Sequence, residues 1–186
     1  MLTDPPYGIG LYYGEFVDSQ ANVARIAQRL GRHIRDQKRA AITPGTQNLH
    51  LYPPPKWILA WTYNAGQFPC VWGFNCWQPI LVYGSDPYLE ASKGSRADTI
   101  HMNIPSEPNG HPCPKPLAVW KRIMQRISID AGETILDPFV GSGTTLLCAK
   151  ELGHPAIGIE LEEKYCEIAA NRLTQEVLAF SNELST

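Results

Sequence analysis

Two short clusters hold the residues whose types and spacing could do chemistry: Asp4-Pro5-Pro6-Tyr7 near the start and Asp137-Pro138-Phe139-Val140-Gly141-Ser142-Gly143-Thr144-Thr145 far downstream. In the first, the Asp4 carboxylate and the Pro5 carbonyl are adjacent hydrogen-bond acceptors. The two prolines stiffen them, because each fixes φ and neither offers a competing N–H. Tyr7 adds an aromatic face. Taken alone, the tetrapeptide also reads as a simple proline turn. In the second cluster a glycine-rich turn follows an apolar run, Thr134 to Asp137, and a helix opens near Gly143-Thr144. Gly141 and Gly143 reach backbone conformations closed to other residues and permit close approach of a ligand. Glu160 ends the next apolar run, nineteen residues beyond Gly141. A carboxylate there can accept from both hydroxyls of a ribose, so the segment predicts an adenosine-bearing cofactor. The third glycine of a dinucleotide fingerprint and the Gly-Lys-Thr of a phosphate loop are both missing, which disfavours pyrophosphate and triphosphate ligands.

The elements that must position these clusters follow from periodicity. Val23, Ile26, Ala27, Leu30 and Ile34 form one stripe of a helix over residues 20–38, with Arg25, Arg29, Arg32 and Arg39 opposite. Ala40-Ala41-Ile42 reads as a short buried strand ending at Thr43-Pro44-Gly45. Trp57 to Trp61 and Pro79 to Tyr83 read as further strands. Residues 84–116 are rich in Gly, Pro, Ser, Asn and charge, and read as one long loop of the kind that is usually functional. A helix is expected from about Leu117 to Ile127, a strand at Thr134 to Asp137, a helix ending at Gly153, a strand at Ala156 to Glu160 and a last helix from Glu162 to about Ala179. This alternation implies an α/β fold with a parallel sheet and crossover helices. The glycine turn then falls at the carboxyl ends of the strands, where such sheets bind ligands.

The 186 residues, 44% of them hydrophobic, suffice for one domain and are too few for two comfortable ones. No apolar run of about 18 residues and no signal-peptide profile occurs, so a cytoplasmic protein without a membrane span is expected. The five cysteines are odd in number and include no Cys-x-x-Cys pair, which argues against a zinc cluster or a disulfide framework. With a net charge of -2 the whole molecule does not attract nucleic acid, but Arg25, Arg29, Arg32, Arg35, Lys38 and Arg39 stand against only Asp36. A local basic patch is enough to meet a phosphate backbone. Its alternative reading is a solvated helix face.

Together, and in this order, the two clusters resemble the DNA amino-methyltransferases of the permuted class, in which the Asp-Pro-Pro-Tyr tetrapeptide precedes the cofactor loop. His111-Pro112-Cys113-Pro114-Lys115-Pro116 is similar to the His-Pro-x-x-Lys-Pro element of that family. The resemblance implies S-adenosylmethionine as cofactor, held by Lys115, Asp137, Phe139, Gly141, Ser142, Gly143, Thr144 and Glu160, and double-stranded DNA as partner, with no metal. It implies a catalytic role for Asp4, Pro5, Pro6 and Tyr7. Asp4 and the Pro5 carbonyl would each accept an N–H of the exocyclic amine, whose lone pair is otherwise delocalised into the ring, and aim it at the sulfonium methyl. Tyr7 would stack on the flipped base. The family uses Asp-Pro-Pro-Tyr mostly for adenine N6 and Ser-Pro-Pro-Tyr mostly for cytosine N4, so adenine is favoured. Cytosine-C5 chemistry through Pro69-Cys70 or Pro112-Cys113 is disfavoured, because that class places its cofactor loop before the nucleophile. Arg25, Arg29 and Arg32 would contact phosphates, and residues 84–116 would form the target-recognition region between a catalytic half (1–83) and a cofactor half (117–186). Most aromatics between Trp57 and Tyr83 would be core, with Phe74 and Trp77 as weak candidates for the base pocket. A bacterial or phage-encoded enzyme is implied.

At its start the chain departs from the family pattern. The family carries a strand with a Gly-Asp turn, a helix and an apolar strand before the tetrapeptide; here only Met1-Leu2-Thr3 precedes it. The expected fold is therefore a Rossmann-like, circularly permuted methyltransferase sheet lacking its N-terminal strand-helix-strand segment. Apolar surface should lie bare on the Thr134 to Asp137 strand, with a homodimer as one way to cover it. An inactive remnant that keeps only ligand or DNA binding, and a generic nucleotide-binding protein, are the competing readings.

Overall fold

The computed structural model describes residues 1–14, 16–64, 69–70, 72–103 and 108–174. Its centre is a mixed five-stranded sheet in the order β1 (Leu2–Thr3), β4 (Ala40–Ile42), β8 (Trp77–Tyr83), β5 (Trp57–Thr62), β9 (Thr99–His101). A parallel pair, β10 (Ile135–Asp137) and β11 (Ala156–Gly158), stands against β1. Two small antiparallel hairpins, β2 (Tyr12–Tyr13) with β3 (Phe16–Val17) and β6 (Pro69–Cys70) with β7 (Gly73–Phe74), rise from the connections. The expectation of a parallel sheet holds for β1 with β4, β5 with β9 and β10 with β11, but β8 runs antiparallel to both neighbours. One reversed strand needs only short connections, whereas a parallel neighbour requires a long crossover.

Helix α1 (Gln20–Ile34) starts at Ser19, whose side chain accepts from the Asn22 N–H, and buries Val23, Ala27, Leu30 and Ile34. It stops before Lys38 and Arg39, shorter than the periodicity suggested. Those two side chains leave the basic stripe: Lys38 Nζ donates to Glu133 at 2.8 Å, and the nearly buried Arg39 guanidinium bridges Glu133 and Glu90. The expected loop over 84–116 contains real elements, namely the short helix α2 (Pro87–Glu90) and the edge strand β9, which pairs with β5. No turn signal marks β9, and its three residues gain regularity only from their neighbour.

Helix α3 (Leu117–Ile127) lays Val119, Trp120, Ile123, Met124 and Ile127 over the sheet, where they meet Leu2, Leu59, Ile80 and Ile135. Helix α4 (Thr144–Leu152) is bounded by left-handed glycines, Gly143 at φ 82° and Gly153 at φ 76°. Helix α5 (Glu163–Thr174) closes the described part of the fold, and the last residues expected in it lie outside the described residues. Bare apolar surface exists, but elsewhere than expected. Ile135 is 3% exposed, whereas Ile157, Ile159 and Leu161, on and after the edge strand β11, are 56%, 51% and 85% exposed. Leu2 and Thr3 of β1 are both fully buried, and Leu2 shares one core with Ile135 of β10 and with Trp120, Ile123 and Cys148 of α3 and α4.

Trp120 ties the helical layer to this centre, since its Nε1–H donates to Thr145 Oγ1 at 2.8 Å in a dry setting. Trp120→Phe, which keeps most of the apolar volume and removes the donor, should lower stability by about 1–3 kcal/mol. A urea melt followed by circular dichroism checks this, and an unchanged midpoint would show that the indole N–H contributes nothing.

Candidate functional site

The parallel register of β1 and β4, Thr3 opposite Ile42, brings the residues that follow each strand to one edge. There the Asp4 carboxylate is enclosed by donors. Oδ1 accepts from Tyr7 Oη at 2.6 Å and from Thr43 Oγ1 at 2.5 Å, while Oδ2 is ion-paired with Lys115. Burial and then the Asp4 charge push the Tyr7 phenol well above its ordinary range. For Lys115, burial works downward, but the charge of Asp4, with Tyr7 and Cys113 nearby, outweighs it and holds the ammonium well above the usual lysine value. Lys115 Nζ also sits 5.1 Å from the centroid of the Tyr7 ring. A Cβ at Gly45 (φ 74°) would lie 3.3 Å from the same ring. Asn48, 1% exposed, donates from Nδ2 to the Tyr7 carbonyl at 2.9 Å and to the Pro44 carbonyl at 3.0 Å. Asp18 gathers the loop beyond, accepting from the N–H groups of Gly8, Ile9 and Leu11.

A cavity of about 1040 Å³ joins this cluster to the glycine turn, with walls that include Asp4, Pro6, Lys115, Phe139, Gly141 and Glu160. That is ample for a nucleoside-sized ligand. Gly141 (φ 51°) and Gly143 (φ 82°) have the left-handed backbone expected of them, but the close approach they permit is to protein. A Cβ on Gly141 would come 3.0 Å from His111 Nε2, and one on Gly143 2.8 Å from Ala169 Cβ. Ser142 and Thr144 are buried; Asn109 donates to the Ser142 hydroxyl and Arg172 to both residues. Glu160 accepts from the Gly141 N–H at Oε2 and from the Leu161 and Glu162 N–H groups at Oε1. A carboxylate offers about four acceptor positions, so a place remains at Oε2 for a ligand hydroxyl. The donor set therefore fits an adenosyl group. His111 roofs the turn, edge-on to Tyr165 with ring centroids 4.6 Å apart; burial and then Lys115 lower its pKa, which favours the neutral ring.

Asp137 borders the cavity but is engaged from within the protein. It is 2% exposed, and its oxygens accept from Thr3 Oγ1 at 2.6 Å, Thr145 Oγ1 at 2.5 Å and the Phe139 N–H at 3.0 Å. It braces the turn while standing on the cavity wall. Arg25, Arg29 and Arg32 are all exposed along α1, and Arg29 also borders the cavity, so the helix flanks the site. Phe74 and Trp77 are 73% and 38% exposed, and neither lines the cavity. Sequence reasoning missed Thr3, Asp18, Thr43, Asn48 and Arg172. Of these only Thr43 carried a signal, as a polar residue just past the carboxyl end of a strand, the edge where α/β sheets place their sites. Cys76, Cys113, Cys148 and Cys166 are free thiols, and no group able to hold a metal ion occurs among the described residues. No helix there is long and apolar enough to cross a membrane.

A glycine turn and a terminal acid on one side of a cavity, facing a clamped carboxylate on the other, define an α/β ligand-binding protein of Rossmann-like design. Residues 56–171 match the profile of the DNA methylase family of N6 and N4 methyltransferases, and the chain belongs to that family. It is 36% identical over 101 residues to the type II methyltransferase M.SmaI of Serratia marcescens, across 52% of this chain and 32% of that protein. It is 46% identical over 70 residues to the type II methyltransferase M.ScaI of Streptomyces caespitosus, across 38% of this chain and 23% of that protein. The matches thus span between about a quarter and a third of these relatives' lengths. Among solved structures, the M1.HpyAVI-SAM complex superposes with a TM-score of 0.70 at 22% identity, covering 94% of this chain and 87% of that one. PvuII DNA methyltransferase, cytosine-N4-specific, gives 0.63 at 12% identity, covering 99% and 80%. These two likenesses establish a shared fold.

The buried brace makes a prediction. Burial raises the Asp137 pKa from 3.8 to about 6, against its three hydrogen bonds. The folded state then keeps a proton that the unfolded chain has already released. The contribution of this group to stability is complete below pH 4 and is lost as pH climbs through 6, a fall on the order of 2–3 kcal/mol. Asp137→Asn removes the titration. Thermal melts of both proteins from pH 4 to 7 should show the native chain losing stability relative to the variant, and a constant difference would refute the shift.

Proposed function

We propose that this chain transfers a methyl group from S-adenosylmethionine to the exocyclic amine of a base flipped out of double-stranded DNA, with adenine N6 as the target. The observation that carries the reading is the single cavity bounded at one end by the Gly141 turn and Glu160 and at the other by Asp4. S-adenosylmethionine, the cofactor in the related M1.HpyAVI-SAM structure, supplies an electrophilic methyl on a sulfonium. The residues of this chain do the rest. Glu160 accepts a ribose hydroxyl, and Phe139 and Ile159 border the space beside it. Asp4 and the Pro5 carbonyl accept the two amine N–H bonds. Asp4 is already oriented by Tyr7 and Thr43 at Oδ1, and the reorganisation that remains is the departure of the Lys115 ammonium from Oδ2. Pro5 and Pro6 keep the acceptors rigid, and Tyr7 offers its ring once Lys115 shifts aside. The amine nitrogen attacks the methyl carbon in line as the carbon–sulfur bond breaks, leaving S-adenosylhomocysteine, and the surplus amine proton leaves along its bond to an acceptor.

Arg25, Arg29 and Arg32 contact DNA phosphates on this reading, and residues 84–116 select the sequence. The work is placed in the cytoplasm, where DNA and cofactor meet. Mass spectrometry of nucleosides from treated DNA identifies the base: N6-methyladenine is expected, N4-methylcytosine would move the target, and absence of both would leave the remnant reading.

Asp4→Ala should abolish transfer with cofactor affinity nearly unchanged, whereas Glu160→Ala should weaken cofactor binding by about 10-fold or more. Calorimetric titration with S-adenosylmethionine separates the two, and equal affinities in native and Glu160→Ala chains would remove Glu160 from the site. Replacing Arg25, Arg29 and Arg32 together by Ala should flatten the dependence of DNA affinity on salt, the slope of log K against log salt falling by about 0.9 for each phosphate no longer neutralised. A salt titration with an unaltered slope would exclude α1 from the interface.

A further inference from the structure

The two oxygens of Asp4 do not have equivalent surroundings. Asp4 and Lys115 border the cavity, whereas Tyr7 and Thr43 do not. Oδ1 accepts from both of the residues behind it, Tyr7 Oη at 2.6 Å and Thr43 Oγ1 at 2.5 Å, while Oδ2 faces Lys115. A carboxylate oxygen has two lone pairs, so Oδ1 is saturated from within the protein. Thr43 can do this because it has no freedom of its own. It is 1% exposed, its N–H donates to the Thr3 carbonyl at 3.2 Å, and the β1–β4 register sets it level with Asp4. Asn48, through the Tyr7 and Pro44 carbonyls, fixes the same segment to the far end of the tetrapeptide.

We propose that Thr43 is a positioning residue for methyl transfer: its hydroxyl pins Oδ1 and so leaves Oδ2, the oxygen paired with the cavity-lining Lys115, as the one the amine of the incoming base takes over from the ammonium. The inference rests on the amino-methyltransferase reading above. Without the Thr43 donor only the Tyr7 hydroxyl holds Oδ1, and the carboxylate can turn about Cβ–Cγ so that the Lys115 ammonium, already on Oδ2, engages both oxygens and competes more strongly with the amine. Thr43, with Tyr7, thus opposes Lys115, and the orientation of the acceptor follows from the balance of the two hydroxyls on Oδ1 against the ammonium on Oδ2.

Thr43→Val keeps shape and burial and removes only the hydroxyl; Thr43→Ser keeps the hydroxyl. In single-turnover methylation at saturating DNA and cofactor, Thr43→Val should be slower by about 10–100-fold, the scale of a misplaced reacting group. KM for DNA and Kd for S-adenosylmethionine should stay within about twofold, and Thr43→Ser should recover most of the rate. A Thr43→Val rate equal to native, or a loss that Ser does not restore, overturns the proposal. Crystal structures of native and Thr43→Val chains test the same point without turnover: the Asp4 carboxylate should rotate toward Lys115 in the variant, and an unmoved carboxylate plane also overturns the proposal. The native chain is the control for the underlying reading. Absence of transfer by it under every condition counts against that reading and leaves the two crystal structures to decide the role of Thr43.

Discussion

The structure depends on one buried carboxylate. β1 lies against β10, yet the two belong to separate hydrogen-bonded sheets, and beside the shared packing of Leu2 and Ile135 the polar join between them is made by Asp137. Its oxygens take the Thr3 hydroxyl from β1, the Thr145 hydroxyl from α4 and the Phe139 N–H from the turn, and Thr145 in turn accepts from Trp120 of α3. Strand, turn and two helices therefore meet at one side chain. A polar group this deeply buried is costly unless its acceptor positions are satisfied, and here three donors satisfy it. The cost of burying the charge is visible in the raised pKa; the gain is a fixed distance between the turn after β10 and the tetrapeptide after β1.

That fixed distance is what the proposed chemistry requires. The cavity is bounded by two halves that are remote in sequence, so their relative position sets its shape. The same logic recurs on a smaller scale at Asp4, which is held from behind by Tyr7 and Thr43 and from the front by Lys115. The two carboxylates differ in kind. Asp137 borders the cavity too, but three internal hydrogen bonds commit it to holding the scaffold together, while Asp4 is satisfied on one oxygen and met on the other by a long-stemmed lysine at the cavity wall. Glu160 stands between these cases, bracing the turn through three N–H groups with acceptor capacity to spare.

The basic character of the chain is likewise divided by structure. Lys38 and Arg39 are neutralised against Glu133 and Glu90, and Glu133 is held down to about 2, by Lys38 first and then by Ser128. This network pins the link between α1 and β4 to the loop before β10. The arginines of α1 proper remain exposed beside the cavity. Counting charges along residues 25–39 could not separate the two groups, because the helix ends at Ile34 and the wheel stops applying there.

By itself the sequence determined most of the elements and the two clusters. Period-3.6 stripes located α1 and α3, apolar runs bounded by turn residues located β4, β5, β8, β10 and β11, and glycines marked the ends of α4, because these signals arise from local backbone preference and from one buried face. It also determined the family resemblance, which lies in contiguous motifs. What only the tertiary structure decided was every feature that depends on a partner distant in the chain. β9 is a strand because β5 is beside it, β8 runs antiparallel because of where its neighbours lie, and Arg39 is buried because Glu90 and Glu133 come to it. Asp137 became a brace because Thr3 stands across from it, and Thr43 entered the site because the β1–β4 register sets it level with Asp4. No local pattern encodes such pairings, since a hydroxyl or a carboxylate has the same propensity whether its partner is water or another side chain brought over from far along the chain.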